Sequence, residues 1–431
     1  MCYAIPGKVV SVDGNTATLD YFGEKRKAAI IPGTGNPKPE TGNYAYAQGG
    51  IIVDIVSEAE ALPVLGAWKE KFFELKKADA GLASGKRADG ALADILAKAE
   101  SGAALTNAEI KKILETGNPE LEALFAAANR IRAKNIRNAC CVHGIIEFSN
   151  YCMNECAYCG INKNNTKLSR YRMSADEIVA TAEHAVRSLG FRALVLQSGE
   201  DSHYTDEALE DIVKRIRERC GVLLFLSIGE RTFECYRRLY EAGAYGALLR
   251  FETSNPKLYS AMRPGRKLED RVGLIRKLKS HGFVVATGFI TGLPGATEQD
   301  LINDVLLTKS LKPDMFSFGP LIPHPETPLA GVKPITPDYA LKAIALARLI
   351  APGSHIVVTT AMETLSKDGK RKGLLAGANS LMINVTPERY RKDYEIYPGK
   401  AGNDATVQDT IRDTIGLLHS LGRAPTDLGV G

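Results

Sequence analysis

The sequence predicts an α/β protein: a complete (β/α)8 TIM-type barrel preceded by a small antiparallel β-barrel. Three observations carry that expectation. From residue 144 onward, apolar β-rich runs recur eight times, at 144–149, 192–197, 222–228, 246–251, 283–290, 314–319, 354–359 and 380–384. Amphipathic segments such as SADEIVATAEHAVRSLG and DEALEDIVKRIRERCG separate them, and eight sequential βα units favour a closed barrel over a doubly wound open sheet. Residues 1–57 have a different texture, with short alternating runs broken by Gly, Asn, Asp and Pro.

Within that first segment, GKVVSVDG, TATLDYFG, RKAAIIPG and YAYAQGGIIVDIVS read as strands, and Asp13-Gly14-Asn15 reads as a hairpin turn. Residues 58–90 follow as a helical linker, rich in Ala, Lys, Leu and Glu, with GKRADG as the joint. Residues 91–431 form the barrel and its helical entry layer, where Thr106 and Glu109 in TNAEIKKILE make a capping-box signature.

The chain has 431 residues, 45% hydrophobic and 24% charged, as ordinary globular proteins do. Its 55 basic and 50 acidic residues leave a net charge of +5, too thin a surplus to indicate a nucleic-acid partner. No apolar run is long enough to span a membrane, and MCYAIPGK lacks the pattern of a signal peptide. Eight scattered cysteines are too few for a disulfide scaffold, which points to a reducing cytoplasm.

Three of those cysteines, Cys152, Cys156 and Cys159, stand in a C-x3-C-x2-C spacing just after the first predicted barrel strand. A structural zinc knot needs a fourth ligand, and the nearest histidine, His143, is a weak candidate. A 4Fe–4S cluster held by three thiolates instead leaves one iron open to a small molecule. The spacing resembles that of the radical S-adenosylmethionine (SAM) enzymes. That resemblance implies one 4Fe–4S cluster, SAM as cosubstrate and reductive cleavage to a 5′-deoxyadenosyl radical, with no protein side chain assigned as catalytic acid or base.

Other motifs fall on the expected strand ends, where (β/α)8 barrels carry their chemistry. Gln197, Ser198, Gly199, Glu200 and Asp201 follow the second strand, and Ser227, Gly229 and Glu230 the third. Arg250, Glu252 and Thr253 leave the fourth, where a carboxylate suits a ribose diol or an ammonium group and an internal Arg–Glu pair is the plain alternative. GFITGLPG follows the fifth strand, and Thr359 and Thr360 end the seventh.

From about residue 90 the chain resembles the HydE maturases of FeFe-hydrogenase, whose relatives include biotin and methylornithine synthases. The carrying segments include IIEFSNYCMNECAYCGINKNN, RYRM, LVLQSGED, LLRFETSNP, GPLIPHPETPL, TTAMETL and YEIYPGK. The resemblance implies that Cys152, Cys156 and Cys159 bind the cluster. It further implies that Tyr158, Gln197, Ser198, Gly199, Ser227, Glu252 and Arg271 contact SAM. His143, Thr253, Thr359, Thr360, Tyr394 and Tyr397 are then expected around the substrate cavity. The implied substrate is a cysteine-bound iron unit carrying CO and CN, and the implied electron donor is a ferredoxin or flavodoxin. Residues 1–57 separately resemble the small HypC (OB-like) chaperones, which makes Cys2 a possible iron ligand and other hydrogenase maturation proteins possible partners.

The sequence also departs from those patterns. No second cysteine trio follows YPGK, His143 stands where an arginine is expected, pocket positions fall on Phe225 and Gly246, and Gln48 replaces a histidine of the small domain. Two rival readings therefore stand beside the maturase: a radical SAM mutase or ring-forming enzyme on an amino-acid-like substrate, and a non-catalytic iron-carrying scaffold. Adjacent Cys140 and Cys141 read as packing or as a metal or persulfide site with His143, and Cys220 and Cys235 as buried filler.

Overall fold

The computed structural model describes residues 4–32 and 38–426. The expectation for Cys2 falls outside these residues. Five strands close the small barrel, β1 (Gly7–Asp13), β2 (Thr16–Tyr21), β3 (Glu24–Ala29), β4 (Tyr44–Gln48) and β5 (Ile51–Val56), in the order β1-β2-β3-β5-β4. The hairpin at Gly14-Asn15 joins β1 to β2, and Gly14 takes φ +55° there. The expectation of a wholly antiparallel barrel needs one correction: β3 meets β5 in parallel at Ala29 and Ile51. An odd number of strands cannot close with every neighbour reversed, so one pair has to run the same way.

Helices α1 (Glu58–Ala83), α2 (Gly90–Glu100), α3 (Asn107–Glu115) and α4 (Leu121–Ile136) follow. Capping boxes at Ser57/Glu60 and Thr106/Glu109 start α1 and α3, each satisfying amide donors that the first turn leaves unpaired. The segment read as a linker is packed helix up to Ala83: Trp68, Phe72 and Leu75 of α1 join the apolar core of the small barrel. One turn further along, Asp79 is buried between Arg132 of α4, with two contacts of 2.7 Å, and Arg423 at 3.0 Å. Gly422 permits this, because a Cβ there would lie 2.2 Å from the Asp79 amide nitrogen.

Eight parallel strands then form the large barrel: β6 (Cys141–Ser149), β7 (Ala193–Ser198), β8 (Leu223–Ser227), β9 (Gly246–Leu248), β10 (Val284–Thr287), β11 (Met315–Phe316), β12 (His355–Ile356) and β13 (Ser380–Asn384). A bridge from Val357 to Ser380, with Val358 N donating to Ser380 O at 2.9 Å, closes β12 onto β13. The fourth to seventh strands are shorter than their apolar runs. Pairing resumes after a break: Glu252, at φ +67°, bridges Phe289, and Ile290–Thr291 pairs in parallel with Gly319–Pro320 at the barrel mouth.

The small barrel sits under the amino-terminal ends of these strands. Ala4, Tyr46, Ile51 and Val53 share one buried cluster with Cys141, Leu223, Phe225, Val284 and Met315 of the barrel floor. Arg192 locks the joint. Its guanidinium contacts Asp54 at 2.7 Å, lies 4.2 Å over the Tyr46 ring and donates to Gly221 O. Burial pushes the Asp54 carboxyl up despite the Arg192 charge. A Cβ on Gly221 would lie 2.3 Å from Asp54 Cγ. Gly221→Val is therefore expected to lift the small barrel off the floor, costing about 1–3 kcal/mol of stability and exposing the residue 57 boundary to limited proteolysis. Unchanged melting and cleavage patterns would count against rigid docking.

Candidate active site

The loop after β6 carries Cys152, Cys156 and Cys159 to the upper mouth of the barrel, and one cavity is lined by all three. Its course is fixed by backbone bonds: Ala157 N to Met262 O at 2.9 Å, Gly160 N to Ile396 O at 2.9 Å and Met153 N to Glu200 O at 3.0 Å. Two glycines allow the close approach. A Cβ on Gly199 would meet Tyr151 O at 2.1 Å and Cys152 Cβ at 2.7 Å, and one on Gly160 would meet Glu395 O at 2.2 Å. Arg170 gathers the loop's ends, donating to the carbonyls of Asn150, Ile161, Asn162 and Asn165 at 2.5–3.1 Å.

The thiols suit a cluster better than a single ion. Among the described residues, the cavity wall carries no Cys or His beside the three thiols to serve as the fourth ligand of a zinc knot. Burial pushes the Cys156 thiol up to about 11 and raises Cys159 further, with the neighbouring thiols adding to it. Such thiols hold their protons near neutrality unless a metal displaces them. Glu200 N points at Cys152 Sγ from 3.4 Å, a donor placed for a thiolate. These features fit a 4Fe–4S cluster on Cys152, Cys156 and Cys159.

The wall beside the loop is an acid–arginine lattice. Arg263, Arg266 and Arg271 face Glu200 and Glu230, with Arg271 Nη1 to Glu230 Oε1 at 3.0 Å, Arg266 to Glu200 at 3.2 Å and Arg263 to Glu200 at 3.3 Å. Burial alone would raise the Glu200 carboxyl, but hydrogen bonds from Glu230 N and Asn154, together with Arg263 and Arg271, hold it below its usual range. Three guanidiniums against two carboxylates leave a positive surplus that suits a bound carboxylate. Asp201 is spent elsewhere, accepting from Ser149 Oγ at 2.7 Å and pairing with Arg172 at 2.7 Å.

Glu252 sits opposite. Its left-handed backbone is held by Glu252 N to Gly288 O at 3.2 Å and Ile290 N to Glu252 O at 2.8 Å. Its buried Oε2 accepts no hydrogen bond and has only a loose 3.5 Å contact with Arg250. A strained residue with an unsatisfied carboxylate oxygen facing a cavity is placed for a ligand. Tyr158, Gln197, Ser198, Gly199, Ser227 and Arg271 line the same cavity, as do Thr359, Thr360, Tyr394 and Tyr397. Thr360 Oγ1 and the Tyr397 hydroxyl form a short hydrogen bond, and burial raises the phenols of Tyr158, Tyr394 and Tyr397, which therefore remain hydrogen-bond donors.

Two expected cavity residues are not on its wall. Thr253 Oγ1 turns outward, accepting from Asn255 N at 3.2 Å and facing Asp304 at 3.5 Å, so it builds the turn before the next helix. His143 lies deeper in the barrel, edge-on to Phe225 at 5.5 Å between ring centroids. In their place stand three residues that sequence reading passed over. Glu147 is ion-paired with Lys400 and accepts from Asn384 Nδ2 at 2.7 Å, all three lining the cavity. The signal was a lone acid inside the apolar run GIIEFS, at a position whose period-two neighbours face the barrel interior.

Comparison with known proteins agrees with this geometry. The chain matches the Radical SAM superfamily over residues 146–308, the Biotin and Thiamin Synthesis associated domain over 317–422 and the HupF/HypC family over 1–68. It is 43% identical over 304 residues to the [FeFe] hydrogenase maturase subunit HydE of Thermotoga maritima, covering 70% of this chain and 87% of that one. The chain belongs to the HydE family of radical SAM enzymes. Further relatives include the 3-methylornithine synthase of Methanosarcina acetivorans, 29% identical over 75% of this chain and 91% of that one. Among solved structures, methylornithine synthase superposes with a TM-score of 0.66 at 27% identity, covering 75% of this chain and 96% of that one. HydG from Carboxydothermus hydrogenoformans shares the fold, with a TM-score of 0.65 at 20% identity over 81% of this chain and 82% of that one. As a radical SAM enzyme of this family, the chain uses a 4Fe–4S cluster and SAM, and the small barrel carries the HypC likeness.

Two outcomes test the site's construction. Gly199→Ala should lower the iron bound after anaerobic reconstitution, since its Cβ collides with the cysteine loop; full iron content would contradict the packing. Burial raises the Asp304 carboxyl to about 7, opposed by its bond from Ser254 N. Because the folded form holds this proton more tightly than the unfolded chain, the associated stability is present at low pH and lost as pH rises through about 7. Asp304→Asn should therefore match the parent near pH 4 and gain stability up to a plateau above pH 7, by up to a few kcal/mol. A pH-independent difference in melting temperature would exclude this.

Proposed function

We propose that this enzyme builds or modifies an organometallic iron precursor, a cysteine-bound iron unit carrying CO and CN, in the maturation of a hydrogenase active site. The observation that supports it best is a single cavity. It runs from the three thiols past Glu252 and the arginine wall to a buried Glu147–Lys400–Asn384 group. The likeness to HydE, over 304 residues, supports the same reading.

Cys152, Cys156 and Cys159 would hold the cluster, which, once reduced and with SAM bound, supplies a 5′-deoxyadenosyl radical. The remaining tasks fall to the protein. Glu252 accepts hydrogen bonds from a ribose diol or an ammonium group, the arginine surplus at Arg263, Arg266 and Arg271 receives the SAM carboxylate, and Ser227, Ser198 and Gln197 fix its orientation. Leu248, Leu249, Ile290 and Leu321 keep water from the interior, which protects a radical from quenching. On the far side, Lys400 and Glu147 present both signs of charge, and Tyr394 and Tyr397 donate from protonated phenols. A cysteine's ammonium and carboxylate meet complementary groups there. The electron donor would be a ferredoxin or flavodoxin, the partners other maturation proteins and the compartment the cytoplasm.

Anaerobic assays with reductant and SAM test this reading. The parent should release 5′-deoxyadenosine and Cys152→Ala should not. Glu252→Gln should raise the KM for SAM about 10- to 100-fold, the scale of one charged hydrogen bond. A rearranged carbon skeleton from a free amino acid would replace the iron reading with the mutase one, and absence of SAM cleavage by cluster-replete protein would favour the scaffold. Lys400→Met should destabilise by about 3–5 kcal/mol by stranding Glu147, and Glu147→Gln in the same chain should restore most of it. Failure of the second change to rescue would mean that Lys400 acts through packing.

A further inference from the structure

Among the described residues, the large barrel exposes a single large apolar side chain, Met153, which is 50% exposed. The others, Val10, Leu62, Phe73 and Leu82, lie on the small barrel and α1. Met153 follows Cys152 directly, so one peptide link, about 3.8 Å between Cα atoms, joins it to a cluster ligand. Its neighbours Cys152 and Asn154 line the SAM cavity, whereas Met153 does not. The thioether therefore stands on the outer face of the loop whose inner face holds the thiols.

A lone exposed methionine carries no meaning. This one is ringed by cations. The Arg172 guanidinium lies 3.6 Å over the ring of Tyr151, two residues back along the loop. Lys163 N donates to Asn154 O at 2.9 Å, and Arg266 Nη2 donates to Asn154 Oδ1 at 2.8 Å. The wider face has the same sign. Residues 150–174 carry four cations against Glu155 alone, and residues 249–267 carry five against Glu252 alone. These two loops meet where Ala157 N donates to Met262 O, and their joint surplus exceeds the +5 of the whole chain. Glu200 and Asp201, which offset part of it, are buried, while Lys163, Lys167, Lys257 and Lys267 are exposed. Lys163 pairs with Glu155 at 2.6 Å and Lys167 with Glu326 at 2.8 Å, surface pairs weak enough to open to a partner's carboxylates.

We propose that the outer face of the cysteine loop, centred on Met153, is the docking surface for an acidic ferredoxin that reduces the cluster. The identity of the carrier rests on the function proposed above; the surface itself does not. A partner with carboxylates around a shallow apolar contact matches an exposed thioether inside a ring of Arg and Lys. Such a contact is small, as transient redox encounters are, below about 1,200 Å² in all. One electron passes from the ferredoxin, which is oxidised, to the cluster on Cys152, Cys156 and Cys159, which is reduced. No bond forms or breaks in that step. The donor and SAM address opposite faces of one loop, so the enzyme accepts its electron with SAM already in place.

Anaerobic stopped-flow reduction of the cluster-replete enzyme tests this, with a pre-reduced acidic two-cluster ferredoxin as the probe. The second-order rate constant of the parent should fall about tenfold or more as salt rises from about 0.05 to 0.5 M. M153E and the double variant K163E/K167E should each slow reduction by ferredoxin about 10- to 100-fold. With dithionite, which needs no docking surface, both should cleave SAM at the parent rate, and equal iron content will show that the loop is intact. If M153E loses its cluster, the lysine pair decides the matter alone. Equal ferredoxin rates in parent and variants, or no dependence on salt, overturns the proposal. An acidic flavodoxin that reduces the parent faster, with the same sensitivity to the variants, overturns ferredoxin as the occupant. A parent that takes electrons from ferredoxin normally but leaves an iron substrate unchanged removes the maturase reading and keeps the surface.

Discussion

The upper half of the molecule depends on one guanidinium. Arg170 ties the carbonyls on both sides of the cysteine loop to a single point, so a chain segment with little regular structure holds three thiols in a fixed relation. Buried carbonyls that lack donors are costly, and one arginine meeting four of them stabilises a loop that neither helix nor sheet could satisfy. The tight seats of Gly199 and Gly160 follow from it, since a loop drawn this close leaves no room for a Cβ at either contact. Substitution of Arg170 would disturb the thiols without touching them.

Charge is segregated along the barrel axis. The upper wall holds the lattice of Arg263, Arg266 and Arg271 with Glu200 and Glu230, and the cavity's inner side holds the buried Lys400–Glu147 pair. Below these, the interior turns to sulfur, imidazole and aliphatic groups, with His143 against Phe225 and Cys141 against His355. A charged roof suits a zwitterionic cosubstrate, whereas the floor is the apolar face on which the small barrel packs. The small barrel is held at that floor through Arg192, Asp54 and the face of Tyr46, which makes it a fixed cap on the lower mouth.

Much of this was legible in the chain. The alternation of apolar runs and amphipathic helices gave eight units because each strand is buried on both faces and each helix on one. The C-x3-C-x2-C spacing located the metal loop, because its ligands are neighbours in sequence. Gln197, Ser198 and Glu252 could be read from strand ends, since in this fold position along a strand predicts position in the cavity. Thr253 was misplaced because a left-handed Glu252 turns the following side chain away from the cavity, a backbone event with no signature in a non-glycine residue.

Local pattern by itself determined the strands, the helices, their caps and the cysteine loop, all of which follow from periodicity and short-range hydrogen bonding. Only the tertiary structure decided which distant residues meet. Cys141 and His355 are 214 residues apart, Glu147 and Lys400 are 253 apart, and Asp54 lies 138 residues from Arg192. Closure of the eight-stranded barrel brings the first two pairs together, and docking of the small barrel brings the third. A single sequence carries no record of such pairings, because the energy that selects them belongs to the packed whole.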